Sequence, residues 1–159
     1  MAKIQISLTS TSAWLEADAS SKLISKIGSR FSVKSGTYKQ NVPAYYLHDG
    51  EELAGHVCFF LNEDLYWMDK VFLEEAYRST GISKTFLKLA LADFRKTHRQ
   101  RIMVDGFYKH KQLYASLGFK AVSKTSMDKY KEDLKWHHQN FKYTHPLDEY
   151  VLMTIGGLK

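Results

Sequence analysis

Between Ala44 and Leu73 the chain passes through three apolar runs separated only by short polar breaks. Ala44-Tyr45-Tyr46-Leu47 leads into His48-Asp49-Gly50-Glu51, where Asp-Gly supplies the positive φ of a tight hairpin. Leu53 through Leu61 follows, and Asn62-Glu63-Asp64 turns the chain into Leu65 through Leu73. Three consecutive strands joined in this way read as a meander, the antiparallel centre around which the rest of the fold must be built. At 159 residues the chain has the length of one ordinary domain, enough to bury roughly two thirds of its unfolded surface in a single core.

The segments around the meander mix helical and strand patterns. Lys3 to Leu8 alternates Ile4, Ile6 and Leu8 with polar neighbours and predicts a half-buried strand. From Ala13 to Ile27 the residues Trp14, Leu15, Leu23, Ile24 and Ile27 recur at helical spacings, with Gly28 as a stop and a break near Ser20-Ser21 that divides the stretch into two helices. Arg30 to Asn41, rich in Ser, Lys, Gly and Tyr, reads as a loop. Beyond the meander the pattern predicts a long helix over about Gly81 to His98 and a short strand from Arg101 to Asp105. A helix near Lys109 to Leu117 and a strand starting at Phe119 come next. Ser126 to Phe141 carries Met127, Tyr130, Leu134 and Phe141 at helix-like spacing, and Tyr150 to Ile155 closes as a strand. This order implies a mixed α/β sheet and not a regular doubly wound one.

Composition narrows the function classes. A chain that is 44% hydrophobic and 14% aromatic is not intrinsically disordered, and 23 basic against 17 acidic residues favour an anionic ligand or partner. The single cysteine, Cys58, rules out an internal disulfide and a multi-cysteine zinc site, and in Val57-Cys58-Phe59-Phe60 it reads as a core thiol. MAKIQISLTSTS has no apolar stretch of the kind a signal peptide needs, and no run approaches a membrane span, so the expected location is cytoplasmic with no membrane partner.

The chemistry concentrates at Leu73-Glu74-Glu75-Ala76-Tyr77-Arg78-Ser79-Thr80-Gly81-Ile82-Ser83, where a strand ends and a long helix begins at a glycine. The first turn of a helix has amides without internal partners, and the helix dipole adds partial positive charge. An anion is favoured there, Gly81 lets a phosphate approach the backbone, and Arg78 adds a permanent charge. On a helix Lys84, Lys88, Arg95 and Arg99 fall along one basic stripe, which a solvated helix face would also explain.

Arg78-x-x-Gly81-x-Ser83 resembles the Gln/Arg-x-x-Gly-x-Gly/Ala signature of the GNAT superfamily, the acetyl-CoA-dependent N-acetyltransferases. Tyr114-Ala-Ser-Leu-Gly118-Phe119 is similar to the family's later Tyr-x-x-x-Gly-Phe element, and the two occur in the family's order. The resemblance covers residues 3 to about 123 and the final strand. It implies one GNAT-like domain over residues 1–159, with a mostly antiparallel central sheet, flanking helices and a coenzyme A cleft where two parallel strands splay apart. It further implies that Phe72, Leu73, Arg78, Ser79, Thr80, Gly81, Ile82, Ser83, Lys84 and Lys88 bind acetyl-CoA as co-substrate. Val71 would join them through strand backbone groups.

In such enzymes an amine attacks the thioester directly, and a backbone N–H stabilises the oxyanion. The resemblance makes Tyr114 the acid that protonates the leaving thiolate, and Asp69 is the candidate base, sharing a strand face with Val71 and Leu73 by alternation. Two departures stand out. Phe107 occupies a position where the family often has Asn, and Ser126 to Pro146 forms a helical insertion, over about 126–146, on the side where acceptors enter. That insertion is expected to shape acceptor choice or a homodimer contact. The seven histidines show no ligand spacing, so no metal is expected. Small amines, protein amines and aminoacyl-tRNA all remain open as acceptors. A catalytically silent GNAT-like module that binds nucleic acid or a protein partner is the alternative.

Overall fold

The computed structural model describes residues 4–5, 22–39, 41–77 and 81–158. Ten strands are described: β1 (Ile4–Gln5), β2 (Lys22–Ile27), β3 (Phe31–Tyr38), β4 (Val42–Asp49), β5 (Glu52–Asn62), β6 (Leu65–Leu73), β7 (Ile102–Phe107), β8 (Lys120–Ala121), β9 (Phe141–Lys142) and β10 (Tyr150–Ile155). Three α-helices accompany them: α1 (Ile82–Thr97), α2 (Lys111–Ser116) and α3 (Lys131–Asn140). The main sheet has eight strands in the order β2-β3-β4-β5-β6-β7-β10-β8. Every pairing in it is antiparallel except β6 with β7, and β1 pairs separately with β9. This is a mixed α/β fold with a mostly antiparallel open sheet.

The meander is longer than the three strands expected. Lys22–Ile27 is a strand and not the end of a helix, and most of the Arg30–Asn41 loop is the strand β3. Leu23, Ile24 and Ile27 mimic helical spacing because β2 pairs along only one edge and a register shift between Leu23 and Ser25 interrupts its alternation. In β3 the polar Ser32, Lys34 and Ser35 are only partly buried, so the segment looks like a loop until its full pairing with β4 is seen. Of the Lys3–Leu8 strand, Ile4–Gln5 is present, and the helical pattern of residues 13–21 lies outside the described residues. The late helix begins as a tight 3-10 segment, Lys124–Tyr130, before α3.

Two cores lie on opposite faces of the sheet. On one face Ile82, Phe86, Leu87, Ala90, Leu91 and Phe94 of α1 meet Val57, Phe59, Tyr66 and Met68. Their spacing of four, one, three, one and three residues makes a single apolar stripe along the helix. Phe59 and Phe94 stack at 4.0 Å between ring centroids. On the other face Cys58, Phe60 and Trp67 pack with Tyr130 and Phe141, and Leu134 and Trp136 of α3 close over them. Helices on both sides therefore clamp β5 and β6, whose end is the cleft.

Candidate active site

β6 and β7 run parallel and pair only at Tyr66 with Ile102 and at Trp67 with Met103. Beyond that point they separate, and a β-bulge on β6 aids the divergence. Cys58 is opposite Asp69 and His56 opposite Phe72, so Lys70 and Val71 together face the single residue Val57. Lys70 takes a left-handed φ of 52°, and the His56 Nδ1–H donates to its carbonyl oxygen at 2.7 Å. A cleft opens at the splay, with Met68, Asp69, Lys70 and Val71 on one wall and Val104, Asp105, Gly106 and Phe107 on the other. Tyr114 and Tyr150 also line it.

The bulge corrects one expectation. Val71 and Leu73 belong with the α1-side core, whereas Asp69 reaches the opposite face, where His137 packs on Trp67. The additional residue at Lys70 shifts the period-two alternation between Asp69 and Val71. Asp69 is 3% exposed, and its Oδ2 is 2.8 Å from Nε2 of the fully buried His137. Burial raises the Asp69 carboxyl above the usual carboxylate range, and Asp105 raises it further, while His137 and Lys70 act the other way. Tyr114 is buried, and its phenol is pushed up by burial and by the charge of Asp69. It is therefore a neutral donor at neutral pH.

The phosphate end of the expected site is partly described. Gly81 stands at the N-cap of α1 with φ 79° and no side-chain capping bond, and the space where a Cβ would project is open. Arg78, Ser79 and Thr80 lie outside the described residues. Ile82 is buried, Ser83 is half-buried, and Lys84 and Lys88 are exposed on the first turns of the helix. Phe72 and Leu73 have buried side chains, Phe72 against His56 and Leu73 in the α1-side core, so they can meet a ligand only through main chain. The basic stripe is shorter than predicted. Arg95 donates to the carbonyl of Gly156, and Arg99 lies past the end of α1 because His98 is extended.

His137 and Tyr143 are site residues that spacing does not reveal. Tyr143 contacts His137 Nδ1 at 2.5 Å and donates to Asp105 Oδ2 at 2.5 Å. Phe107 stacks on Tyr150 at 4.8 Å, so an aromatic wall stands where the family's asparagine is common. Cys58 is fully buried, and burial raises its thiol. Among the described residues no group of three His, Cys, Asp or Glu is arranged to hold a metal ion, and no helix is long and apolar enough to cross a membrane.

A parallel pair splayed at a bulge, within an otherwise antiparallel sheet and followed by a helix that starts on a left-handed glycine, defines an acyltransferase fold. Residues 18–138 match the family model described as "Acetyltransferase (GNAT) domain", and the chain belongs to this family of acetyltransferases. Solved structures agree on the fold. An acetyltransferase of Bacillus subtilis in complex with CoA is 18% identical with a TM-score of 0.55, covering 76% of this chain and 80% of that one. The ribosomal-protein-S18-alanine N-acetyltransferase of Escherichia coli is 13% identical with a TM-score of 0.53, covering 74% of this chain and 70% of that one. A GNAT-family acetyltransferase of Staphylococcus aureus is 14% identical with a TM-score of 0.52, covering 75% and 69%. No curated protein sequence matches the chain.

Proposed function

We propose that the chain transfers the acetyl group of acetyl-CoA to a primary amine by direct attack in the cleft between β6 and β7. The observation that carries this reading is the pairing of roles at the splay. Tyr114, a buried phenol held neutral, and Asp69, a buried carboxyl group, line one cleft and sense each other electrostatically. A thiolate leaving group needs the first and an ammonium substrate the second. The amides at the start of α1, open above Gly81, suit a pyrophosphate, with Lys84 and Lys88 beside it. The relatives crystallised with CoA support the same co-substrate.

The acceptor side carries several carboxylates. Asp69 and Asp105 stand on opposite walls of the cleft, and beyond Phe107 a hollow is lined by Tyr108, Lys109, His145, Asp148 and Glu149. An alkylammonium group is drawn to such a surface. Segment 126–146 supplies His137, Tyr143 and His145 to this side, which supports its reading as the acceptor-shaping insertion of one catalytic domain.

The test is thiol release from acetyl-CoA in the presence of a panel of alkylamines, amino acids and peptides, beside a thermal-shift titration with acetyl-CoA. Binding in the wild type that is lost in Gly81→Glu is expected, with turnover of at least one amine class. No shift at millimolar acetyl-CoA would overturn the proposal.

A further inference from the structure

Asp69, His137, Tyr143 and Asp105 form one unbroken hydrogen-bonded chain from one wall of the cleft to the other. Its contacts are Asp69 Oδ2 to His137 Nε2 at 2.8 Å, His137 Nδ1 to the Tyr143 hydroxyl at 2.5 Å, and that hydroxyl to Asp105 Oδ2 at 2.5 Å. Three contacts in series need three hydrogens. A neutral imidazole brings one N–H, a phenol brings one O–H, and an ionised carboxylate brings none. With both carboxylates ionised, one of the contacts would set lone pair against lone pair. A mismatch of that kind leaves a buried polar group without its hydrogen-bond partner, and one additional proton removes it. The additional proton satisfies the chain wherever it sits, because all three hydrogens can shift one place together between Asp69 and Asp105.

We propose that these four residues hold one proton in common and act as a relay that takes the acceptor amine's proton at Asp69 and discharges one from Asp105 to His138. The proposal rests on the acetyl-transfer reading for its direction. His138 Nε2 stands 3.7 Å from Asp105 Oδ2, and its side chain is 33% exposed, which makes it the outlet to water. In the transfer the ammonium N–H bond breaks and an O–H bond forms on the other oxygen of Asp69. Asp69 passes the hydrogen of its Oδ2 contact to His137 Nε2, Nδ1 passes its own to the Tyr143 oxygen, and Tyr143 passes its own to Asp105. Asp105 releases one proton through His138. One proton enters and one leaves, the amine lone pair is freed for attack on the thioester, and the Asp69 carboxyl, the His137 ring and the Tyr143 hydroxyl then turn over to bring a hydrogen back into each of the three contacts.

His138 faces the chain from α3, 3.7 Å from Asp105 and edge-on to the Tyr143 ring at 4.8 Å. Asp69 is faced by Tyr114 from α2, Cys58 from β5 and its neighbour Lys70, and Tyr143 is faced by Tyr150 from β10. Burial raises both the Cys58 thiol and the Tyr114 phenol, which leaves them uncharged near neutral pH. His137 and Tyr143 act through Asp69 and are positioning residues in this scheme.

The test is NMR of the His137 ring nitrogens in the full-length protein across a pH series. The wild type is expected to take up one proton in a step that the His137 ring reports. In Asp105→Asn the new amide donates to the Tyr143 oxygen, Tyr143 donates to His137, and the third hydrogen is supplied without the additional proton. The step should vanish there although Asp105 does not touch His137. In Tyr143→Phe, which cuts the chain, adding Asp105→Asn should leave the His137 signals unchanged. A His137 titration identical in wild type and Asp105→Asn overturns the relay. With butylamine as the probe acceptor, Tyr143→Phe should lower kcat by at least about 100-fold, the lower end for a proton-transfer group, and straighten a curved proton inventory. The KM for acetyl-CoA should stay the same. Unchanged kcat and isotope effects overturn the relay alone, whereas failure of the wild type to bind acetyl-CoA overturns the acetyl-transfer reading instead.

Discussion

The ring of Tyr114 fills the space in which a side chain at Gly106 would begin: a Cβ placed on Gly106 comes within 2.5 Å of Tyr114 Cε2. The absence of a side chain on β7 thus fixes where α2 can set its tyrosine against the cleft. Gly106→Ala must push that ring aside, and overpacking a well-filled site costs about 1–3 kcal/mol. The expected result is a lowered melting temperature together with a larger loss in kcat than in the KM for acetyl-CoA. Steady-state kinetics and a melting curve on the same preparation check both halves, and wild-type kcat in this variant would remove the geometric role of Gly106.

Tyr114→Phe keeps the ring and its packing against Phe119 and deletes only the hydroxyl. If the phenol protonates the leaving thiolate, turnover falls by about 100- to 10,000-fold with little change in acetyl-CoA affinity. Calorimetric titration beside turnover separates the two quantities. An undiminished rate would assign that proton to water.

Gly81 differs from Gly106 because none of the described residues comes near the space a Cβ there would take, and its backbone is the demanding feature. At φ 79° an alanine is strained by its own backbone, at a cost of about 1–2 kcal/mol. Gly81→Ala is therefore expected to lower the melting temperature modestly while still binding acetyl-CoA. Gly81→Glu adds a negative charge at the helix N-terminus and should abolish the acetyl-CoA-dependent shift. Equal acetyl-CoA affinities in the two variants would show that charge at this position is irrelevant.

Much of this architecture is legible in the residues alone, and what is not has identifiable causes. The apolar runs of β4, β5 and β6, the stripe Phe86, Leu87, Ala90 and Leu91 on α1, and the glycine at its start all announce themselves through local spacing. The edge strand β2 and its neighbour β3 do not, because in β3 one buried Val33 among polar neighbours satisfies a loop pattern as well as a strand pattern. The bulge is invisible for a different reason. A lysine takes the left-handed position at residue 70, where no glycine or proline marks it, and what holds it is a hydrogen bond from His56 on the neighbouring strand. The partner of Asp69 is hidden most completely of all, since His137 lies 68 residues away and only packing of α3 across the sheet brings it near.

The segment before α1 is tied to the hairpin of β3 and β4 by a second polar cluster. Arg30 donates to both oxygens of Asp49, at 2.8 and 2.6 Å, and the Tyr77 hydroxyl donates to Asp49 at 2.5 Å. Bonds from Arg30 and Tyr77 hold the Asp49 carboxyl below its ordinary range. The sign follows from linkage: a depressed carboxylate stabilises the fold above its unfolded value, about 3.9, and that contribution disappears as pH falls through the folded value. Asp49→Asn should melt below the wild type at pH 7, with the gap closing as the pH falls below about 4. It should also weaken acetyl-CoA binding, because the Tyr77 it holds stands four residues before Gly81. Melting curves across pH and one affinity measurement test the two claims separately.

His56 should give the protein an acid sensitivity of its own. It is fully buried, stacked 5.3 Å from Phe72, and burial lowers its pKa to about 4. The unfolded chain, with an ordinary histidine near 6.5, binds the proton that the folded chain refuses between these two values. Stability linked to this ring is therefore full above about pH 6.5 and is lost as pH falls toward 4, with a slope of at most about 1.4 kcal/mol per pH unit. His56→Gln should be less stable than the wild type at pH 7, because it gives up the ring contact and the bond that pins Lys70. Between pH 6.5 and 4 it should lose less stability than the wild type, so the two curves converge. Urea unfolding of both proteins at four or five pH values, about half a unit apart, measures the convergence. Parallel curves would mean that His56 exchanges no proton on unfolding in this range.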